Sequence, residues 1–128
     1  MSYRVEQSVS VNWYKDRNHQ ILHRVDGPAI EYNNGSKWWY QNGKLHRDNG
    51  PAVEYSGGTK LWFRNNFRHR IDGPAVELSD GGMVWYVNGY HVSPANAHKA
   101  VARWLSYREV TRDEISSLIG NFRIVEWN

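Results

Sequence analysis

The chain has 128 residues, enough for one domain with a modest core. The absence of cysteine excludes disulfides and thiolate metal centres, and no apolar run approaches the roughly 20 residues that cross a bilayer. Sixteen basic and thirteen acidic residues leave a net charge of +3, with the signs mixed along the chain, which permits a nucleic-acid partner without requiring one.

The first residues are polar and alternating, without the charged start and apolar run of a signal peptide. A soluble, cytoplasmic protein with no membrane association is the expectation. Seven Trp and eight Tyr are many for this length. Each ring buries about 150–250 Å², so a few of them can stabilise a thin structure.

In "YRVEQSVSVNWY", Tyr3, Val5, Val9, Val11 and Trp13 alternate and predict opening strands. From Leu22 the chain divides without a gap into three segments of 23 residues: "LHRVDGPAIEYNNGSKWWYQNGK", "LHRDNGPAVEYSGGTKLWFRNNF" and "RHRIDGPAVELSDGGMVWYVNGY". Trp13-Tyr14 precedes them as a degenerate half unit, and "YHV" at 90–92 begins a further unit that stops. Such self-similarity marks a repeat architecture. Inside a unit the period is two: Ile30, Tyr32, Trp38 and Tyr40 share one face, and Ala29, Glu31 and Trp39 the other. Glycine-bearing turns bound these runs, and "QNGK", "RNNF" and "VNGY" supply a second turn, which predicts hairpins. Joined hairpins make one antiparallel sheet in which equivalent residues of neighbouring units lie roughly 9–10 Å apart.

Further on, Ser93 is placed as a helix N-cap and Pro94 at the first helical position, with Ala97, Ala100, Val101, Trp104 and Leu105 at helical spacing. "TRDE" at 111–114 reads as a capping box before Ile115, Leu118 and Ile119, Gly120 as a stop, and "NFRIVEWN" as a last strand. The predicted fold is mainly β (α+β): an antiparallel β-hairpin repeat ribbon of 23-residue period, capped by a C-terminal helical segment and a short strand. It forms a single domain over 1–128, with opening strands in 1–21, repeats in 22–90 and the cap in 91–128.

The phrase "HRxDGPA" first suggests turn chemistry. Gly27, Gly50 and Gly73 permit a tight turn and Pro28, Pro51 and Pro74 fix φ. Asp26, Asp48 and Asp72 are expected to accept turn N–H groups, with Asp48 one place early in its unit. Arg24, Arg47 and Arg70 are expected to pair with Glu31, Glu54 and Glu77, within a unit or across to its neighbour, at about 0–1 kcal/mol each if exposed. The second suggestion is a binding stripe. His23, His46 and His69, the three arginines, and Trp39, Trp62 and Trp85 recur at one pitch. Cations beside rings grip acidic protein surface, the leading partner, or single-stranded nucleic acid, the alternative. The tryptophan row also reads as packing under the cap. Lys99, Arg103 and Arg108 form an alternative partner site on the helical segment.

Catalysis finds little here: no cysteine nucleophile, phosphate loop or His-Glu metal signature. Histidines roughly 9–10 Å apart cannot share an ion. His19 lies near His23 without an obvious third ligand, and Ser93 between His91 and His98 is better explained as a cap. No catalytic residue, metal or cofactor is expected.

At "WYQNGKLHRDNGPAVEYSGGTKLWF" and "WYVNGYH" the chain resembles MORN-type repeats through the aromatic pair, "NGK", the following histidine and the glycine turn. It departs from them where His-Gly-x-Gly would follow, and is closer to the MORN-like repeat "WYxNGxxHRxDGPAxE" of bacteriophage proteins, over residues 13–92. The resemblance implies a hairpin ribbon without catalytic residues, used as a scaffold or contact surface. By analogy with that setting it implies a phage accessory protein in the host cytoplasm that binds and inhibits or modulates a host protein, such as a defence or CRISPR effector. A nucleic-acid-binding accessory protein and a structural or assembly component are the alternatives.

Overall fold

The computed structural model describes residues 2–106. The "TRDE" segment, the last predicted strand and Arg108 lie outside the described residues. Two opening strands, β1 (Tyr3–Glu6) and β2 (Ser10–Tyr14), pair antiparallel. The first unit follows with β3 (Ile30–Tyr32), β4 (Lys37–Trp38), β5 (Tyr40–Gln41) and β6 (Lys44–Leu45). The second holds β7 (Val53–Glu54), β8 (Lys60–Leu61), β9 (Phe63–Arg64) and β10 (Phe67–Arg68). The third holds β11 (Val76–Glu77) and β12 (Met83–Val87), and β13 (Tyr90–Val92) turns back on it. Nine of these strands form one antiparallel sheet in the order β1-β2-β3-β4-β7-β8-β11-β12-β13, while β5/β6 and β9/β10 are separate two-stranded hairpins. The fold is mixed α+β: a large antiparallel sheet with a short helix, α1 (Ala97–Ser106), at the C-terminal end of the described residues.

The register sets the two faces. Ile30 opposes Trp38, Trp38 opposes Val53, and Leu61 lies between Val53 and Val76, so these side chains share a face. On the other face Lys37 lies between Glu31 and Glu54, and Lys60 between Glu54 and Glu77. Each opposite-charge pair contributes about 0.2–1 kcal/mol and penalises a shifted register.

At Trp39 the chain leaves the main sheet: β4 ends at Trp38 and β5 begins at Tyr40. The Trp39 N–H donates to Ala52 O at 2.7 Å and its carbonyl accepts from the His46 N–H at 3.1 Å. Trp62 does the same with Ala75 (2.7 Å) and His69 (3.0 Å), and Trp13 with Ala29 (2.7 Å) and His23 (3.0 Å). The turns that close the small hairpins hold Asn42 and Gly43 at φ 51° and 78°, and Asn65 and Asn66 at 48° and 72°. Two consecutive positive φ values suit the right-handed twist of a hairpin and select asparagine and glycine.

Ala29, Ala52 and Ala75 are fully buried, beside Ile30, Val53 and Val76. A second cluster, Val87, Ala97, Val101 and Leu105, joins β12 to α1, with Trp85 and Trp104 packed on it. Burying a Val or Leu stabilises by about 1.5–3 kcal/mol, so α1 is held mainly through Val101 and Leu105. Ser93 does precede the helical segment, in an extended conformation, but a 3₁₀ turn (Pro94–Asn96) comes first. The hydroxyl of Ser93 makes no cap bond; its carbonyl accepts the Asn96 N–H instead.

Candidate binding surface

The three arginines of the repeated phrase are built into the scaffold. The Arg70 guanidinium lies 3.8 Å from the Trp62 ring centre. Its Nε donates to Asp72 (2.8 Å) and its Nη1 to Pro74 O (3.1 Å) and Glu77 (2.8 Å). Arg24 repeats this with Trp13 (4.2 Å), Asp26 (3.3 Å), Pro28 O (3.3 Å) and Glu31 (3.1 Å). Arg47 stacks on Trp39 at 3.8 Å and donates to Pro51 O (3.1 Å) and Glu54 (3.4 Å). The Arg–Glu pairs are therefore made within a unit. They are partly buried pairs: the arginine side chains are 21, 27 and 17% exposed for Arg24, Arg47 and Arg70, and their glutamates 45, 32 and 34%.

Two expectations about the turn change. Asp26 and Asp72 accept from arginine Nε rather than from turn N–H groups. Asp48, one place early in its unit, turns to His46 Nε2 at 2.8 Å instead, which leaves Arg47 with one acceptor fewer. Gly27, Gly50 and Gly73 do not have positive φ; the positive-φ glycines of the first turns are Gly35, Gly58 and Gly81. A Cβ on Gly27, Gly50 or Gly73 would stand 2.7–2.8 Å from the arginine Cζ, so a side chain there would have to push the guanidinium off its tryptophan and glutamate partners.

The histidines are equally internal. His23 Nδ1 accepts the Asn42 N–H (2.9 Å), His46 Nδ1 that of Asn65 (3.1 Å) and His69 Nδ1 that of Asn88 (2.8 Å). An accepting Nδ1 places the neutral-ring proton on Nε2, so His46 donates to Asp48. Burial pushes the His23 pKa down, and the Lys15 charge pushes the same way. Trp39 and Trp62 are held by their faces under arginines; their indole N–H groups are buried without an acceptor among the described residues. Trp85 packs against the α1 cluster, and Ser93 stands where an arginine would be in phase. Eight of the nine stripe residues, Trp85 apart, thus sit in the arginine–tryptophan and histidine–asparagine contacts that recur along the chain.

The alternative cations sit elsewhere. Lys99 and Arg103 of α1 border a groove of about 600 Å³ between the helix and the β12–β13 hairpin. Val87, Val92, Ala100 and Trp104 form its apolar walls, Asn88 and Asn96 add amides, and Tyr90 is 75% exposed at its rim. Tyr90 and Trp104 do not stand out in the sequence as site residues. Helical spacing does place Asn96, Lys99, Ala100, Arg103 and Trp104 together, but their partner hairpin spans the end of the third segment and the interrupted unit, where the repeat pattern stops. A smaller cleft of about 400 Å³ runs between the Arg47–Asn49 and Arg70–Asp72 turns with Trp104 as a wall. There Arg64 lies 3.9 Å from Asp48 and 5.5 Å from the Trp104 ring, and His69 lies 4.4 Å from that ring. Its charges are of both signs.

His91 rests against Tyr86 (5.5 Å) on the paired strand. Among the described residues no three His, Asp or Glu side chains are grouped to hold a metal ion, and no helix is long and apolar enough to cross a membrane. No family model, curated protein or solved structure matches the chain.

Proposed function

We propose that the chain is a non-catalytic binding protein, a MORN-like hairpin ribbon of 23-residue period of the phage accessory type, that binds a host protein and inhibits or modulates it. The recurrence of the Trp–Arg–Glu and His–Asn contacts at equivalent places supports the ribbon. One observation carries the binding reading. The cations of the repeated phrase are taken up by rings, carboxylates and carbonyls of the chain itself, while the groove beside α1 presents apolar walls, the ammonium of Lys99 and a projecting tyrosine. Apolar anchoring surface with a charged rim is how protein interfaces gain affinity. The contact surface therefore shifts from Arg24, Arg47 and Arg70 to the helical end.

The experiment is capture from host lysate by the full chain, with and without nuclease. A protein retained after nuclease supports the reading. Recovery of nucleic acid alone would replace it with the nucleic-acid-binding alternative. A defence or CRISPR effector is the target class to test first.

A further inference from the structure

We infer that the groove between α1 and the β12–β13 hairpin takes a short acidic segment of a partner protein, one carrying a large apolar side chain flanked by carboxylates. This rests on the reading of the chain as a protein-binding module. The groove volume of about 600 Å³ lies in the range of ordinary ligand sites, about 300–1,000 Å³, and suits anchoring side chains rather than a domain. Val87 and Val92 form the sheet-side wall, and Ala100 and Trp104 the helix-side wall. An aliphatic or aromatic side chain loses its hydration there without facing a buried charge.

Charge selects the flanks. The described wall residues include Lys99 and Arg103 and no carboxylate. They stand four residues apart on α1, about 6 Å along its axis. Lys99 makes no ion pair among the described residues, so an incoming carboxylate need not displace one there. Asn88 and Asn96 offer amide groups to the backbone of a guest. Nucleic acid fits less well, because two cations and mainly apolar walls oppose a polyanion that draws on many phosphate contacts.

The test titrates the full chain with a short labelled peptide of glutamate, leucine and phenylalanine. Two control peptides replace the glutamates by lysine, or the leucine and phenylalanine by alanine. The expected result is saturable binding of the first peptide only, weakened by salt. Lys99→Glu should weaken it about tenfold and gain affinity for the lysine peptide, and Tyr90→Ala should weaken it without changing charge preference. Lys44→Glu, exposed on the β5–β6 hairpin away from the groove, should leave peptide binding unchanged. Equal binding of the glutamate and lysine peptides, no binding of either, or indifference to Lys99→Glu would overturn the inference. So would displacement of the peptide by single-stranded DNA at lower concentration, or occupation of the groove by a second copy or by the chain's own residues 107–128. Because the titration uses no lysate, its failure leaves a captured protein partner standing. A partner captured equally by wild type and Lys99→Glu would locate the interface elsewhere while keeping the protein-binding reading.

Discussion

The guanidinium of Arg47 lies 3.8 Å from the centre of the Trp39 ring, eight residues earlier in the chain. The same relation joins Arg70 to Trp62, and Arg24 to Trp13 across a longer loop. Each arginine binds a tryptophan of one segment to the proline carbonyl and glutamate of the next. The contact is a joint between neighbours, so its loss loosens the sheet between units.

The three joints differ in strength. Arg70 is 17% exposed and has Asp72 and Glu77 both at 2.8 Å; Arg47 is 27% exposed, has Glu54 at 3.4 Å and lacks the aspartate. A charged hydrogen bond contributes about 1.5–3 kcal/mol and a cation over a ring about 0.5–2 kcal/mol. Arg70→Ala should cost about 2–3 kcal/mol and Arg47→Ala about 1–2 kcal/mol in urea unfolding. Lysine should not restore either, because it lacks the planar fork. Losses below about 0.5 kcal/mol at both sites would return the arginines to the surface.

Gly50 tests the same joint from below. A Cβ there would stand 2.7 Å from the Arg47 Cζ, which is pinned from above by Trp39. Gly50→Ala should destabilise by about 1–3 kcal/mol, as overpacking does. Because φ is not positive, the cost should shrink when the guanidinium is removed. A double-mutant cycle with Arg47→Ala should show coupling of at least about 0.5 kcal/mol. Strict additivity would mean that the backbone, rather than the guanidinium, selects glycine.

The contrast explains what could be read from the sequence. The hairpins were legible because alternation and Asn-Gly turns are local signals, and Asn42, Asn65 and Asn88 do take positive φ. The helix start was legible near Pro94 for the same reason. The reason for Gly50 was not, since an arginine side chain folded back over it is a through-space fact that resembles a turn requirement in one dimension. Nor could the roles of His46 and His69 be read: a row of histidines at fixed pitch looks like a stripe until each Nδ1 is seen facing a turn N–H.

Acid should weaken the first of these histidine clasps. His23 accepts the Asn42 N–H through Nδ1, and a protonated Nδ1 cannot accept. Its pKa is lowered by burial and by Lys15, so the folded value lies below the unfolded one. The stability it contributes is therefore complete above the ordinary imidazole value of about 6.5 and is lost as pH falls through the folded value. Melting temperature should drop as pH falls below about 6.5. His23→Gln, whose carbonyl accepts at any pH, should reduce that drop. An equal drop in the variant would assign the pH dependence to other groups.

The sheet's C-terminal end is closed differently. Arg24, Arg47 and Arg70 cover Trp13, Trp39 and Trp62, but the residue in phase to cover Trp85 is Ser93. Trp85 instead packs on the cluster of Val87, Ala97, Val101 and Leu105, so α1 covers the ring that the other tryptophans present to an arginine. Leu105 is fully buried, and Leu105→Ala should cost about 2–5 kcal/mol at this end. In a structure where each segment contacts its neighbours, that loss should be local. Hydrogen exchange should show α1 and β13 losing protection first, while the Asn65 N–H clasped by His46 keeps most of its own. Val53→Ala, in the middle of the sheet, should instead expose β7 and its neighbours on both sides. Wild-type protection of α1 in Leu105→Ala would show that the helix is held by something other than this cluster. Uniform loss across the sheet would show that the chain unfolds as one cooperative block, with no joint weaker than another.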